Sequence, residues 1–453
     1  MRQLIFFFAR VQSATSLRFT RKKKKINCAR GKSVNSKVTS MKEKLRELYR
    51  DSLFQNSLYL MLTTAVMALF GFGFWFLCAR IFTPSDIGIA TTLISAMTLI
   101  SYVSLLGFNS TFVRVLPTST NRNNEINTGL ILCISSAIIF AIGYVLAVPL
   151  IAPKLGIIHE HIFYAIGFVA LVALAAINLL TDSIFIAYRA AKYNFWINGI
   201  AMSSVKLFLP FVFIGLGAYG VFAASGIAAS VAMVLSITFL ILKFDYQPQL
   251  NIDIQTWRSV IHYSFSNYIA NLLNIAPILI LPLIVINHLG AAAAGYYYLA
   301  FTVANLLYAV IYSVTQSLFA EGSYADRSLT ELAAKSLLAM GAVLIPGSII
   351  LFFAAPIFLN IYGASYAVEA TGILQAFALA GPAVALYTIM NMFLRIKKQV
   401  YRLIAVNIVY VITMSGLALL WVDKGLAWIG YAWLIGSLVA GITGLILYRV
   451  SAK

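Results

Sequence analysis

Residues 128–151 read TGLILCISSAIIFAIGYVLAVPLI, twenty-four in a row without a charged side chain. A helix needs about 20 mostly apolar residues to cross the hydrocarbon of a bilayer, and lipid offers an unpaired backbone N–H or C=O no partner. A run of this length and purity is therefore built to span. The same reading carried outward in both directions finds twelve runs, near 55–79, 86–107, 128–151, 161–186, 195–215, 219–242, 262–286, 294–317, 334–357, 367–393, 402–421 and 426–448. The predicted fold class is an all-α integral membrane protein of about twelve transmembrane helices.

Composition excludes the soluble alternative. Of 453 residues, 61% are hydrophobic and 10% charged, against roughly 45–50% and 25% in a soluble domain. A net charge of +19 would suit a nucleic-acid partner, but its distribution does not: residues 1–50 hold 15 Lys/Arg and two Glu, so most of the excess sits in one tail. Three readings of residues 1–40 stand side by side: a basic arm drawn to anionic headgroups, an Arg- and Ser-rich transit peptide, or a stretch upstream of a start at Met41. Cys28, Cys78 and Cys133 are too scattered for a disulfide framework, and no cysteine or histidine spacing suggests a metal.

Lys and Arg set the direction, since cytoplasmic loops keep them. With both termini inside, inner loops and the C-terminus carry fourteen basic residues beyond the tail and outer loops three, Arg80, Lys154 and Lys424. The expected organisation is a basic tail (1–50), a six-helix bundle (51–242), a cytoplasmic linker (243–261) and a second six-helix bundle (262–453). No connection has room for a folded extramembrane domain, which disfavours a membrane enzyme such as a glycosyltransferase, ligase or polymerase.

The two bundles repeat one another. At an offset of 207, Gly88 pairs with Gly295, Ala147 with Ala354, Pro149 with Pro356 and Gly156 with Gly363; further on an offset of 210 pairs Gly220 with Gly430 and Gly226 with Gly436. A three-residue slip after the fourth helix accounts for the change. Six helices per unit is an even number, so the halves run the same way and are related by an axis along the membrane normal, as in transporters with parallel repeats.

The stretch Ala79-Arg-Ile-Phe-Thr-Pro-Ser-Asp-Ile-Gly88, then Leu106-Gly107-Phe108 and Phe112-Val113-Arg114, resembles the opening of the Wzx-type polysaccharide and O-antigen flippases of the multidrug/oligosaccharidyl-lipid/polysaccharide (MOP) exporter superfamily. Asn287-His-Leu-Gly-Ala-Ala-Ala-Ala-Gly295 and Thr181-Asp-Ser-Ile-Phe-Ile-Ala-Tyr-Arg-Ala190 fit the same family more loosely. The resemblance implies paired six-helix bundles that flip a polyprenyl-diphosphate-linked oligosaccharide across the plasma membrane, with polysaccharide-assembly proteins as potential partners. Within the motif, Pro84, Gly88 and a cap from Ser85 or Asp86 read as scaffold, the alternative being direct substrate contact by Arg80 or Asp86.

Polar residues inside apolar runs are the site candidates. Lys206 falls about ten residues into the fifth run, roughly 15 Å deep. It either faces a hydrated cavity, where it would meet a diphosphate, or pairs with Asp182 on the fourth helix. Asn267, Asn271 and Asn274 share one face of the seventh helix with Ser264, either lining a cavity or joining helices. Asn56, Asn178 and Asn391 are further lining candidates. Arg114, Arg189, Glu321 and Arg395 stand at inner helix ends as headgroup anchors, salt bridges or a mouth for the cargo headgroup. No phosphate-binding loop and no catalytic constellation is present in the sequence, so no cofactor is implied; coupling to a proton or sodium gradient stays open. The first rival is a multidrug or small-molecule exporter of the same superfamily, disfavoured by the shortage of buried acids.

Overall fold

The computed structural model describes residues 52–323 and 329–450; the side chains of 52–54, 57, 254–264, 316–336 and 339 lie outside that description. The expectations for the basic tail, for a start at Met41 and for the side chains of Ser264 and Glu321 fall outside the described residues. Among the described residues every regular element is helical.

Twelve long helices follow one another: α1 (Ser52–Ile81), α2 (Pro84–Ser104), α3 (Arg122–Ile151), α4 (Ile162–Ala187), α5 (Ala191–Val212), α6 (Gly217–Phe244), α7 (Ile254–Leu289), α8 (Ala291–Ser323), α9 (Leu329–Phe353), α10 (Thr371–Ile396), α11 (Val400–Trp421) and α12 (Leu426–Val450). Eleven are long and apolar enough to cross a membrane, and the described part of α9 adds the apolar stretch Met340–Phe353. Asn56–Lys453 forms one compact unit. Helix α7 starts at Ile254 rather than at 262, so the expected linker 243–261 narrows to 245–253. Polar residues such as Gln255 and Arg258 end an apolar run but are good helix formers, so the helix outlasts the run.

Local chemistry fixes the start of α2. Thr83 is the N-cap and Asp86 the third helical residue. The Asp86 amide donates to Thr83 Oγ1 (3.1 Å), and the Asp86 carboxylate accepts from the Thr83 amide (3.2 Å), a reciprocal capping box. The cap is therefore Thr83, not Ser85 or Asp86; the hydroxyl one residue before Pro84 is the one in extended geometry.

The internal repeat is visible in the helix boundaries. Helices α2 and α8 begin at Pro84 and Ala291, 207 apart. Each half then places a short helix directly after the paired glycines Gly156 and Gly363: Ile157–Glu160 in the first, Ala364–Glu369 in the second. From there the offset is 209: α5 (Ala191–Val212) matches α11 (Val400–Trp421) at both ends. The residues with positive φ, Arg189 (53°) and Lys398 (56°), keep the same spacing. The slip thus lies before the fourth helix of each half, not after it. Ile162 comes six positions after Gly156, whereas Thr371 comes eight positions after Gly363.

The halves meet on these repeated elements. A Cβ on Gly88 would lie 1.7 Å from the Ala291 carbonyl oxygen, and one on Gly295 2.3 Å from that of Pro84. Pro84 and Ala291 are themselves repeat partners, so the contact is isologous and the two-fold axis runs between α2 and α8. Two glycines are needed because the backbones touch. Helix α7 also packs along α2.

Candidate functional site

The turns holding Arg80, Lys154 and Lys424 define a charge-poor end of the bundle. There the halves are tied together repeatedly. Arg80 Nη2 donates to Ile361 O (3.0 Å) and Asn287 Nδ2 to Ile151 O (2.6 Å). Phe72 meets Tyr362 and Trp75 meets Tyr298, with ring centroids 5.8 and 4.8 Å apart. Toward the charge-rich end the α2–α7 side stays joined, Tyr268 Oη donating to Val103 O at 2.6 Å. On the α1 and α8 side, Met61, Leu306 and Tyr312 are exposed there. A cavity of about 240 Å³ lies between the halves beside the glycine contact, lined by Ser95 and Thr98 of α2, Leu279 of α7, and Tyr298, Thr302 and Asn305 of α8.

Lys206 approaches this cavity through aromatic rings. Its Nζ stands 4.6 Å from the Phe74 ring centroid and 5.9 Å from that of Trp75, and Trp75 in turn packs on the cavity-lining Tyr298. Because α5 starts at Ala191, Lys206 is six residues from the helix end at Val212, roughly 9 Å at 1.5 Å per residue. It therefore sits nearer the charge-poor end than the expected mid-span depth. The expected pairing with Asp182 is not formed: Asp182 Oδ1 accepts from Asn198 Nδ2 instead. No carboxylate among the described residues pairs with Lys206. Cation–π contact contributes about 0.5–2 kcal/mol, short of the several kcal/mol an ammonium costs in hydrocarbon. Water or an anion has to supply the rest.

The other candidates divide into two polar clusters and a remainder. In the first half, Asn178 Nδ2 donates to Asn198 Oδ1 (3.1 Å), Asn198 to Asp182, and Asn194 Nδ2 to the Asp182 carbonyl (3.3 Å). Residues Phe195–Met202 of α5 are π-helical, and Asn198 lies inside that segment. In the second half, Tyr387 is the hub. Its hydroxyl accepts from Asn274 Nδ2 (2.7 Å) and donates to Asn407 Oδ1 (2.9 Å), and its carbonyl accepts from Asn391 Nδ2 (3.1 Å). Arg395 Nη2 donates to Asn271 Oδ1 close by. Two of the three asparagines on α7 thus join helices rather than stand free, while Asn267 is exposed. Asn56 Oδ1 accepts from the Ala191 amide (2.8 Å) and so caps α5. Arg114 and Arg189 are exposed at the charge-rich end.

Asn194, Asn198, Tyr387 and Asn407 were missed by the sequence reading. The i, i+4 spacing of Asn178 with Asp182 and of Asn194 with Asn198 was there to be read, as was the 209-residue spacing of Asn198 and Asn407.

Among solved structures the chain is similar to an inward-facing multidrug resistance MATE family transporter of the MOP superfamily (TM-score 0.65, 13% identity, 88% of this chain and 95% of that one). It is also similar to a MOP superfamily transporter from Pyrococcus furiosus whose binding pocket is described as of reverse polarity (0.63, 14%, 88% and 95%). An outward-facing MATE family transporter matches at 0.60, with 13% identity over 88% and 96%. At these identities the likeness shows the fold alone. No individually curated protein matches. Residues 77–371 match the family described as polysaccharide biosynthesis protein, and the chain belongs to that family.

Proposed function

We propose that the chain flips a polyprenyl-diphosphate-linked oligosaccharide across the cytoplasmic membrane for polysaccharide synthesis, with its charge-rich end in the cytoplasm. The observation that carries this reading is Lys206: a half-buried ammonium, free of any described carboxylate, one aromatic layer from a cavity between the halves. A diphosphate is the ligand such a group is short of. Arg395 supplies a second half-buried cation on the other half, held by a neutral amide rather than an acid. Family membership supports a role in polysaccharide synthesis, and the fold supports transport in place of catalysis. The cargo enters from the cytoplasmic leaflet with its lipid tail in the bilayer; partners in assembly would then act on the outer face.

The test is reconstitution into proteoliposomes with a lectin-readable polyprenyl-diphosphate oligosaccharide on one face. Wild-type protein should deliver it to the other. Lys206→Ala should slow delivery roughly tenfold, the equivalent of ~1.4 kcal/mol lost from a charge-assisted contact. Export of cationic dyes without movement of the lipid-linked sugar would replace the proposal with the multidrug reading.

A further inference from the structure

The seam between the halves at the charge-poor end buries two hydroxyls that nothing satisfies. Tyr366 lies in the short helix Ala364–Glu369 of the second half, and Tyr362 stands just before it. They are 2% and 1% exposed, yet neither hydroxyl has a hydrogen-bond partner among the described residues. A buried phenol O–H left without an acceptor destabilises the state that buries it. The repeat shows that packing does not ask for it. At the offset of 207, Tyr362 corresponds to Leu155, equally buried, so the first half fills the same position without a polar atom. The neighbouring contact, by contrast, is kept in both halves. Arg80 and Asn287 share the 207 spacing, and each donates to a backbone carbonyl of the opposite half.

Both phenols lie on the contact that has to part when this end opens. Tyr362 packs on Phe72 of α1 (5.8 Å between ring centroids) and on Tyr366 (6.3 Å), and the Ile361 carbonyl beside it accepts from Arg80. Tyr366 in turn meets Tyr296 of α8 at 5.2 Å. Cys78, buried on α1, is within electrostatic reach of the Tyr366 phenol on one side and of Lys206 on the other. From the cavity outward the polar groups are thus the Lys206 ammonium, the Cys78 thiol, the phenols of Tyr366 and Tyr362, and the exposed Arg80 guanidinium. Each carries a hydrogen to donate, and the first and last are cations. What such a row lacks is an anion with several acceptor oxygens, which is the chemistry of a diphosphate.

We infer that Tyr362 and Tyr366, with Arg80 beyond them, form a release-side subsite for a diphosphate. As the charge-poor end opens, the two hydroxyls gain as acceptors the diphosphate oxygens that Lys206 gives up. That this diphosphate belongs to a lipid-linked sugar rests on the function proposed above; the affinity of the seam for the group does not.

The experiment uses membrane vesicles sealed with the charge-poor end outward. The full chain carries Thr302→Cys, a cavity residue, with its three native cysteines as serine, a change that leaves position 78 a hydrogen to donate. An impermeant maleimide in the outer solution then reads how often this end is open. Wild-type seam residues should give labelling about fivefold faster with inorganic pyrophosphate outside than with sulfate at equal ionic strength, because a ligand that binds only the open state raises its population. Tyr362→Phe/Tyr366→Phe keeps both rings and loses both hydroxyls. It should show no such acceleration, while its melting temperature stays at or above that of the parent, since the groups removed were unsatisfied. A double variant that still responds in full overturns the inference, and so does a parent indifferent to pyrophosphate. Equal acceleration by glycerol phosphate, the headgroup chemistry of a bulk phospholipid, would make the ligand an ordinary lipid and overturn it too. If the double variant does not fold, the two single variants decide: a reduced response in each supports the subsite, and a full response in both removes it. Pyrophosphate acceleration in a chain that fails to flip lipid-linked sugar would count against the proposed function and leave the subsite standing.

Discussion

The charge of Lys206 and its four-carbon stem face different physics. The Nζ stands over the rings of Phe74 and Trp75, which are 1% and 3% exposed, and the methylenes that carry it there add apolar area. The ammonium contributes cost. Lys206→Met keeps the packing and removes the charge, so it is expected to melt at the same temperature as wild type or higher, while flipping falls as far as in Lys206→Ala. A variant that melts far lower would show that the ammonium serves the fold. Asn56 is the opposite case. Its Oδ1 caps the first turn of α5 at Ala191, and Asn56→Ala should cost about 1 kcal/mol with transport per folded molecule unchanged. The sequence singled out both residues for the same reason, a polar side chain in an apolar run. It could not separate them, because the separation depends on what α5 presents to α1.

At the scale of elements, the closure of the charge-poor end rests on backbone contact between α2 and α8. Because Gly88 and Gly295 each face a carbonyl of the other helix, any side chain at either position wedges the helices apart. Gly88→Val is expected to open this end. The measurement is labelling of a cysteine placed at cavity residue Thr302, in a chain whose three native cysteines are serine. An impermeant maleimide added from the charge-poor side should react about tenfold faster in the Gly88→Val background, as expected for a population shifted toward the open state. An unchanged rate alongside intact transport would mean the glycines serve only packing. These elements were the most legible part of the chain: apolar runs gave twelve helices, and the Gly88–Gly295 pairing came from sequence spacing alone. What periodicity could not give were the ends. Helix α7 runs past its apolar stretch to Ile254, and α5 begins at Ala191, four residues before its run. Both extensions moved site residues relative to the span, Lys206 above all.

Across the whole molecule, two copies of one unit have kept a shared frame and diverged in chemistry. The frame is what hydrophobic spacing and glycine positions encode, which is why the sequence carried it. The divergence is in side chains that meet only after folding: a lysine in α5 where α11 has Ser415, and an acid where α10 has Asn391. The connection between the copies is short and extended, yet it is pinned to the first half. Asn127 Nδ2 donates to Gln247 O (3.1 Å) and its Oδ1 accepts from the Gln249 amide (3.2 Å), while Thr128 Oγ1 accepts from the Asp253 amide (2.8 Å). Burial pushes the Tyr246 phenol up to about 12, so it stays a donor to Asn127 at any physiological pH. The association of the halves, however, is carried by α2 against α7 and α8, not by this strap. Residues 1–249 and 250–453 produced as separate chains in one cell should therefore co-purify and flip cargo at a rate near that of the intact protein. Adding Gly88→Val to the first fragment should weaken their recovery as a pair, because the covalent link no longer compensates for the lost contact. Halves that never associate would place the energy of assembly in the linker after all.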